Sequence, residues 1–336
     1  MLRVAVIGCR GIGVRHAQGV VDAGDAAELV AGCDLSEELL TEFADQFKSH
    51  SPRLTTYTDY REMLSTEKPD IVTVATGDHQ HADSVVAAAA AGAKGIFCEK
   101  PLATNLADAD RMLEAVDKSG AILCVDHTRR WMPAWRHATE KVIEPGEIGD
   151  VLTITGGFSG ARAMLFRNGT HTIDTICWLA DSDPEWVMAE LEEGYEDYTE
   201  YRGDGGHLPE TEPSAHGYIH FANGVRAFYS GGPKQKAETP MRVTVEGTLG
   251  DMHITETLLA TSVTVHKDGG SRRVNLPSPQ GETIPVAVCD LIDVVANGGV
   301  SRCTGQDSMR VVEIMLGFLE SQRQGNNRVQ LPLPRS

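Results

Sequence analysis

The 336-residue chain has no CxxC pair, no apolar run long enough to cross a bilayer and no surplus of basic charge. Its longest apolar run, Val85 to Ala93, falls far short of the roughly 20 residues a membrane-spanning helix needs. Lys and Arg number 30 against 48 Asp and Glu, a formal charge of -18 that repels phosphate backbones and anionic lipid surfaces. Neither nucleic acid nor a membrane is an expected partner. The seven cysteines, at positions 9, 33, 98, 124, 177, 289 and 303, sit largely in apolar strand-like runs and read as buried thiols in a reducing cytoplasm. The twelve histidines are scattered without HExxH or paired Cys/His spacing, so no metal is expected. The opening residues, MLRVAVIG, enter a strand directly, without the basic segment and apolar core of a secretion signal, and a cytoplasmic protein is expected.

What is present is a repeating pattern. Short β-branched runs (RVAVIG, AELVAGCD, DIVTVAT, GIFCEK, AILCVD) alternate with helical stretches beginning near Ile12, Ser36, His79 and Asn105. Strands alternating with helices of about a dozen residues specify parallel βαβ units in a doubly wound α/β Rossmann sheet. The length exceeds the size at which one core usually stops growing, so a second domain is expected. The expected division is 1–126 for dinucleotide binding and 127–336 for substrate binding and oligomerisation. After Gly149 strand-like runs follow one another with few helices, which predicts an α+β domain on a large, mostly antiparallel open sheet. Helices over about 132–144, 168–180, 284–297 and 306–323 are expected to cover one face of that sheet. Asn223-Gly224 between two such runs predicts a hairpin with a type I′ turn. The acid-rich ELEEGYEDYTE, 190–200, reads as a solvated edge or loop.

GCRGIG, Gly8 to Gly13, stands where the first strand meets the first helix, the place at which backbone N–H groups hold a pyrophosphate. Arg10 occupies the middle glycine position of the usual G-x-G-x-x-G, Gly8 and Gly13 keep register, and Gly11 is additional. Arg10 either turns outward or adds a cation beside the phosphates. Asp34 closes the second strand, where a carboxylate accepts from an adenosine ribose and repels a 2′-phosphate, so NAD is expected over NADP.

Taken together, GCRGIG, Asp34, ATGDHQHAD (75–83), FCEKPLA (97–103) and VDHTRRWMPAW (125–135) resemble the glucose-fructose oxidoreductase, inositol dehydrogenase and MocA family. NGTHTID (168–174), VTVEGTLGDM and VQLPL (329–333) extend the resemblance over nearly the whole chain, and EKP is its most specific mark. The resemblance implies a nicotinamide cofactor and oxidoreduction at a hydroxyl or keto group of a sugar, inositol or related polyol, in a homodimer or homotetramer. It implies cofactor contacts at Gly8, Arg10, Gly11, Ile12, Gly13, Asp34, Thr76, His81, Glu99 and Lys100. Lys100 is expected at the carboxyl end of a strand, where open α/β sheets place their ligands.

Oxidising an alcohol requires a group of tunable pKa within reach of the hydroxyl, and Lys100 and His171 are the candidates. Dehydrogenases of this family commonly carry Asp-x-x-x-His at this point; here Arg167 takes the Asp position. Arg is effectively always charged and cannot serve as a base. Arg167, Asp174, Arg130 and Trp131 are expected substrate contacts, Arg167 suiting an anionic or differently shaped substrate. His127 and Thr128 replace the Tyr-Asn often found in such proteins, so the substrate's identity cannot be borrowed from a relative. Two other readings stay open: a catalytically silent dinucleotide or sugar sensor of the same fold, and an enzyme whose transient oxidation enables elimination or hydrolysis.

Overall fold

The computed structural model describes residues 1–335 apart from 206, 258, 259 and 279–281. The chain folds into two compact units, Met1–Trp131 with Gln280–Gln306, and Met132–Pro279 with Asp307–Ser336.

The first unit is built on β1 (Leu2–Ile7), α1 (Ile12–Asp22), β2 (Ala27–Cys33), α2 (Glu37–Phe47), β3 (Thr55–Tyr57), α3 (Tyr60–Glu67), β4 (Ile71–Val74), α4 (His81–Ala90), β5 (Gly95–Cys98), α5 (Leu106–Ser119) and β6 (Ile122–Val125). The strands lie in the order β3-β2-β1-β4-β5-β6, every pair parallel. The order reverses between β1 and β4, and a crevice at such a reversal is where doubly wound sheets bind ligands. β4 and β5 are buried along their whole length, as strands covered by helices on both faces must be. Ser36 and Asn105 accept from Leu39 N and Asp108 N and so cap α2 and α5. The short β3 and α3 carry too few apolar residues for the sequence pattern to reveal them.

One helix departs from expectation. α8 (Thr283–Asn297), expected over the antiparallel sheet, belongs to the Rossmann unit and packs on α1. Its apolar stripe shows that it must cover something, and a specific fit decides what. A Cβ at Gly19 would lie 2.8 Å from Pro285 O and from Val288 Cβ, and Cys289 Sγ donates to Gly19 O at 3.1 Å. Glycine on α1 therefore lets α8 approach closely.

The second unit holds α6 (Pro133–Ala138), β7 (Val151–Phe158), α7 (Thr170–Ala180), β8 (Pro184–Leu191), β9 (Ala215–Phe221), β10 (Arg226–Gly231), β11 (Met241–Gly247), β12 (Asp251–Glu256), β13 (Thr261–Lys267), β14 (Gly270–Arg273), most of α9 (Gly305–Arg323) and β15 (Val329–Gln330). The sheet order is β14-β13-β12-β11-β7-β10-β9-β8-β15, antiparallel throughout except for β7 beside β10. Burial alternates along β8, β10 and β11, because one face is covered and the other open. α7 lies on the covered face, with Thr172 and Ile176 against Gly156, and so does α9, whose Phe318 fills the space over Gly217.

The β9–β10 hairpin forms with a different turn from the one expected. Gly224 N donates to Phe221 O at 2.9 Å, and only Gly224, with φ 88°, takes a positive φ; Asn223 does not. Asn223 Nδ2 donates to Ala180 O and its backbone N–H to Ser182 Oγ. These bonds hold Asn223 at negative φ, which leaves a three-residue loop with glycine at the left-handed position.

Candidate active site

The Gly8–Gly13 turn is set by close backbone packing. Gly8 has φ 93°, and a Cβ there would lie 2.5 Å from Ala75 O; one at Gly13 would lie 1.7 Å from Gly8 O. Gly11, with φ 53°, is the N-cap of α1 and offers no side chain to its first-turn N–H groups, while a Cβ on it would meet nothing within 4 Å. Its glycine answers to the backbone angle rather than to space. The helix start is thus left open to an anion, which the helix dipole favours. Arg10 is exposed and lines a cavity of about 560 Å³ together with Gly8, Asp34, Thr76 and Gly77. Ile12 is half-buried at the first position of α1.

Asp34 Oδ2 accepts from Cys9 N at 2.9 Å and Oδ1 from Ser36 N at 3.1 Å, so the backbone fixes the carboxylate at the cavity wall. Burial first, and then the Asp34 charge, push the Cys33 thiol up to about 12 and the Cys9 thiol higher still. Neither is a nucleophile. Thr76 Oγ1 is buried at the same wall without a hydrogen-bond partner among the described residues. An orphaned hydroxyl, an open helix start, a carboxylate and a glycine-lined approach are what a dinucleotide needs.

At the carboxyl end of β5 the backbone turns through Glu99, Lys100 and Pro101, with a cis Lys100–Pro101 bond. Lys100 is 8% exposed. His81 is fully buried, its Nδ1 lying 2.9 Å from Pro101 O and its Nε2 3.3 Å from Thr76 O. In this structure the ring braces the turn against the β4 loop. Burial by itself raises the Glu99 carboxyl, yet His16, the Lys100 ammonium and a hydrogen bond from Asp126 outweigh it and hold Glu99 down at about 2. Asp126 goes the other way, pushed well above the carboxylate range by burial and then by the Glu99 charge. The opposite shifts are those of two neighbouring carboxyl groups that share one proton.

Arg130 and Trp131 are occupied within the Rossmann unit. Arg130 Nη1 donates to Arg302 O at 2.9 Å, Trp131 Nε1 donates to Asp290 Oδ2 at 3.0 Å, and both side chains are buried. Arg302 Nε also donates to Asp290, so one α8 carboxylate gathers both partners. Through these bonds the two residues fasten the turn after β6 to α8.

In the second unit Leu165–Gly169 forms a π turn, with Gly169 N donating to Met164 O at 2.9 Å, and α7 follows it. Gly169 is required there because a Cβ would come 2.4 Å from Tyr229 Oη. Arg167 lies on the π turn and His171 on the α-helix after it, so the pair is not spaced by one regular helical turn. Glu212, 1% exposed, accepts from Phe166 N and Arg167 N, and Arg167 Nη1 donates to Gly205 O at 3.1 Å. His171 keeps part of its side chain exposed, whereas Asp174 is fully enclosed.

Residues 2–127 match the oxidoreductase family's NAD-binding Rossmann fold, and residues 140–331 match that family's C-terminal alpha/beta domain. The chain belongs to the GFO/IDH/MocA oxidoreductase family. Among relatives, inositol 2-dehydrogenase of Salmonella typhimurium is 28% identical over 199 residues, 55% of this chain and 56% of that protein. D-apiose dehydrogenase of Paraburkholderia graminis is 39% identical over 145 residues, 43% of this chain and 37% of that protein. The chain spans about half the length of the curated relatives it matches. The crystal structure of myo-inositol 2-dehydrogenase from Lactobacillus plantarum has the same fold, with a TM-score of 0.74 and 23% identity over 98% of this chain and 99% of that one. No helix among the described residues is long and apolar enough to cross a membrane.

Membership confirms the Rossmann reading of the first strand–turn–helix and the implied alpha/beta second domain. Two functional candidates escape the sequence reading, His16 and Asp126. A signal for His16 exists: it lies three residues after Gly13 among the buried Gly13, Ala17, Gly19 and Val20 of α1, a polar residue on an apolar helix face.

Proposed function

We propose that this family member is an NAD-dependent dehydrogenase that exchanges a hydride between nicotinamide and a hydroxyl or keto group of a sugar, inositol or related polyol. The observation that carries the reading is Lys100, a nearly buried cation at the carboxyl end of a Rossmann strand in the unit that holds the dinucleotide turn. The named activities of its relatives, on inositol and D-apiose, support the substrate class. NAD, when bound, accepts the hydride. The start of α1 and the Thr76 hydroxyl would hold its phosphates and neighbouring polar groups, and Asp34 would accept from the ribose. As the neutral amine, Lys100 takes the hydroxyl proton and becomes the ammonium, and His171, partly exposed at the head of α7, is the second proton-handling group. Arg167, permanently charged in place of the family's Asp, favours a substrate bearing a carboxylate.

Purified protein incubated with NAD or NADP and a panel of sugars, inositols and sugar acids tests this directly. Accumulation of reduced nicotinamide with NAD is the expected outcome. Nucleotide binding without reduction or product formation on every substrate overturns the reading and favours the silent sensor, whereas product without net reduction marks the transient-oxidation enzyme.

The preference for NAD rests on Asp34. Asp34→Asn keeps the shape but loses the charge, and NAD affinity should fall by about 2 kcal/mol, roughly thirtyfold, while NADP affinity rises. Calorimetric titration of both nucleotides checks this, and tighter NADP than NAD binding by the unaltered protein refutes it.

We also infer a homo-oligomer closed over the open face of the large sheet. Met188 and Phe228 are 44% and 45% exposed there, and Tyr218, stacked 4.8 Å from Trp186, continues the apolar patch across β8, β9 and β10. Phe228→Glu should shift the sedimenting species toward monomer; a wild-type monomer at high concentration refutes the inference.

A further inference from the structure

His16 stands out among the buried groups. Its side chain is 0% exposed, and neither ring nitrogen has a hydrogen-bond partner among the described residues. Leaving a polar ring nitrogen buried and unpaired is costly, and such a group calls for an explanation. The imidazole packs edge-on against Phe97, with centroids 5.0 Å apart, and its Nε2 lies 3.6 Å from Glu99 Oε1, an oxygen equally without a hydrogen-bond partner there. Asp126, 1% exposed, completes the group: one donor or acceptor atom from each of the three residues lies within 4.8 Å of the others.

Three such ligand types could hold a metal ion, but the surroundings suit a proton. The cations facing the carboxylates are Lys100, whose charge acts on Glu99 and Asp126, and Arg129, whose charge acts on Asp126. While Lys100 is protonated, it and Arg129 place two cations beside the cluster that oppose a divalent ion. Among the described residues the thiols of Cys98 and Cys124 also face it. Burial, ahead of any neighbouring charge, keeps both protonated, including the charges of Asp78 on Cys98 and of Asp290 on Cys124. With one proton shared between Asp126 and Glu99, the two carboxyl groups together carry a single negative charge.

We propose that His16 is a positioning residue for Lys100: the two hold one proton between them across the Glu99 carboxylate, so the amine form of Lys100 is reached without stranding a buried negative charge. When the proton sits on Lys100, the ammonium balances Glu99. When it leaves Nζ it goes to the imidazole, no other bond changes, and the imidazolium takes over as counter-charge. Lys100 is then a neutral amine, ready to accept a hydroxyl proton. This inference rests on the assignment of Lys100 as the proton-exchanging group.

The test follows the side chains themselves, on nucleotide-free protein. Lys100 is observed by NMR through ¹³C-labelled lysine, its resonance assigned by its loss in Lys100→Arg, and His16 through ¹⁵N-labelled histidine. In the unaltered protein the two should show the same apparent titration steps, because interacting groups titrate as a pair. His16→Gln keeps a polar side chain that cannot be cationic, and should move the Lys100 midpoint up by about one pH unit. Glu99→Gln removes the carboxylate and should move it down by a similar amount. Independent titration of His16 and Lys100, or midpoints that stay put or move together in the two variants, overturns the proposal. The wild-type measurement decides the matter if neither variant folds. Turnover of Lys100→Met is a separate readout: an active Lys100→Met overturns the catalytic assignment, whereas an inactive one with unmoved midpoints overturns this inference alone.

Discussion

Replacing Lys100 with Met is expected to lower turnover by roughly 10³-fold, within the range a positioned acid–base group supplies, while NAD affinity changes by no more than a few-fold. Met keeps most of the aliphatic stem and removes the ammonium. The stem is what packs, since Lys100 is 8% exposed, so the variant should fold. The ammonium is one of three influences holding the Glu99 carboxyl down at about 2, the others being His16 and the hydrogen bond from Asp126. Its loss lets Glu99 titrate at higher pH. The sign for stability follows: a carboxyl depressed in the folded state stabilises above its unfolded pKa and loses that contribution as pH falls toward 2. Lys100→Met should therefore melt at a lower temperature than wild type near neutrality, and the gap should close in acid. Lys100→Arg separates charge from proton exchange, because it restores the cation and not the base. Stability recovered in Arg without activity supports the assignment; turnover within tenfold of wild type in Met refutes it.

How much of the fold and site is legible in the sequence follows from what each element depends on. The alternation of strands and helices up to β6 is readable because each βαβ unit is a local pattern, and the EKP corner because Glu99-Lys100-Pro101 interrupts a buried strand. The unit that α8 joins is not readable, because an apolar stripe records that a helix is buried and not against what; Gly19, whose missing side chain admits Pro285 and Val288, lies on α1 at the other end of the chain. Asn223-Gly224 announces a hairpin, but Ala180 O and Ser182 Oγ decide its turn type, and the local sequence does not contain these partners. Arg130 and Trp131 stand out by their place after β6, whereas the groups they bond, Arg302 O and Asp290, arrive with the returning segment. His16 and Asp126 matter through Glu99, a relation that needs three separate elements in space.

Gly13→Ala should be the most damaging single methyl in the Rossmann unit. The new Cβ would sit 1.7 Å from Gly8 O, a backbone atom that cannot swing aside as a side chain does. Gly8 cannot retreat either, because its own Cα side already faces Ala75 O, where a Cβ would come within 2.5 Å. The remaining escape is to lift α1 off β1, and α1 is held from its other side by α8 at Gly19. Moving the helix also moves the open N–H groups meant for the pyrophosphate, so binding and stability should fall together. A loss of about 4 kcal/mol belongs to the exceptional class of point substitutions, and for a chain of this size it corresponds to roughly 6 °C in melting temperature. Gly11→Ala is the control. It has open space and only the cost of holding Ala at φ 53°, about 1 to 2 kcal/mol. Thermal melts and NAD titrations of the two variants side by side discriminate: Gly13→Ala should lose NAD binding outright while Gly11→Ala retains it. If Gly13→Ala melts with wild type and binds NAD normally, the close backbone approach between Gly8 and Gly13 is not what shapes this turn.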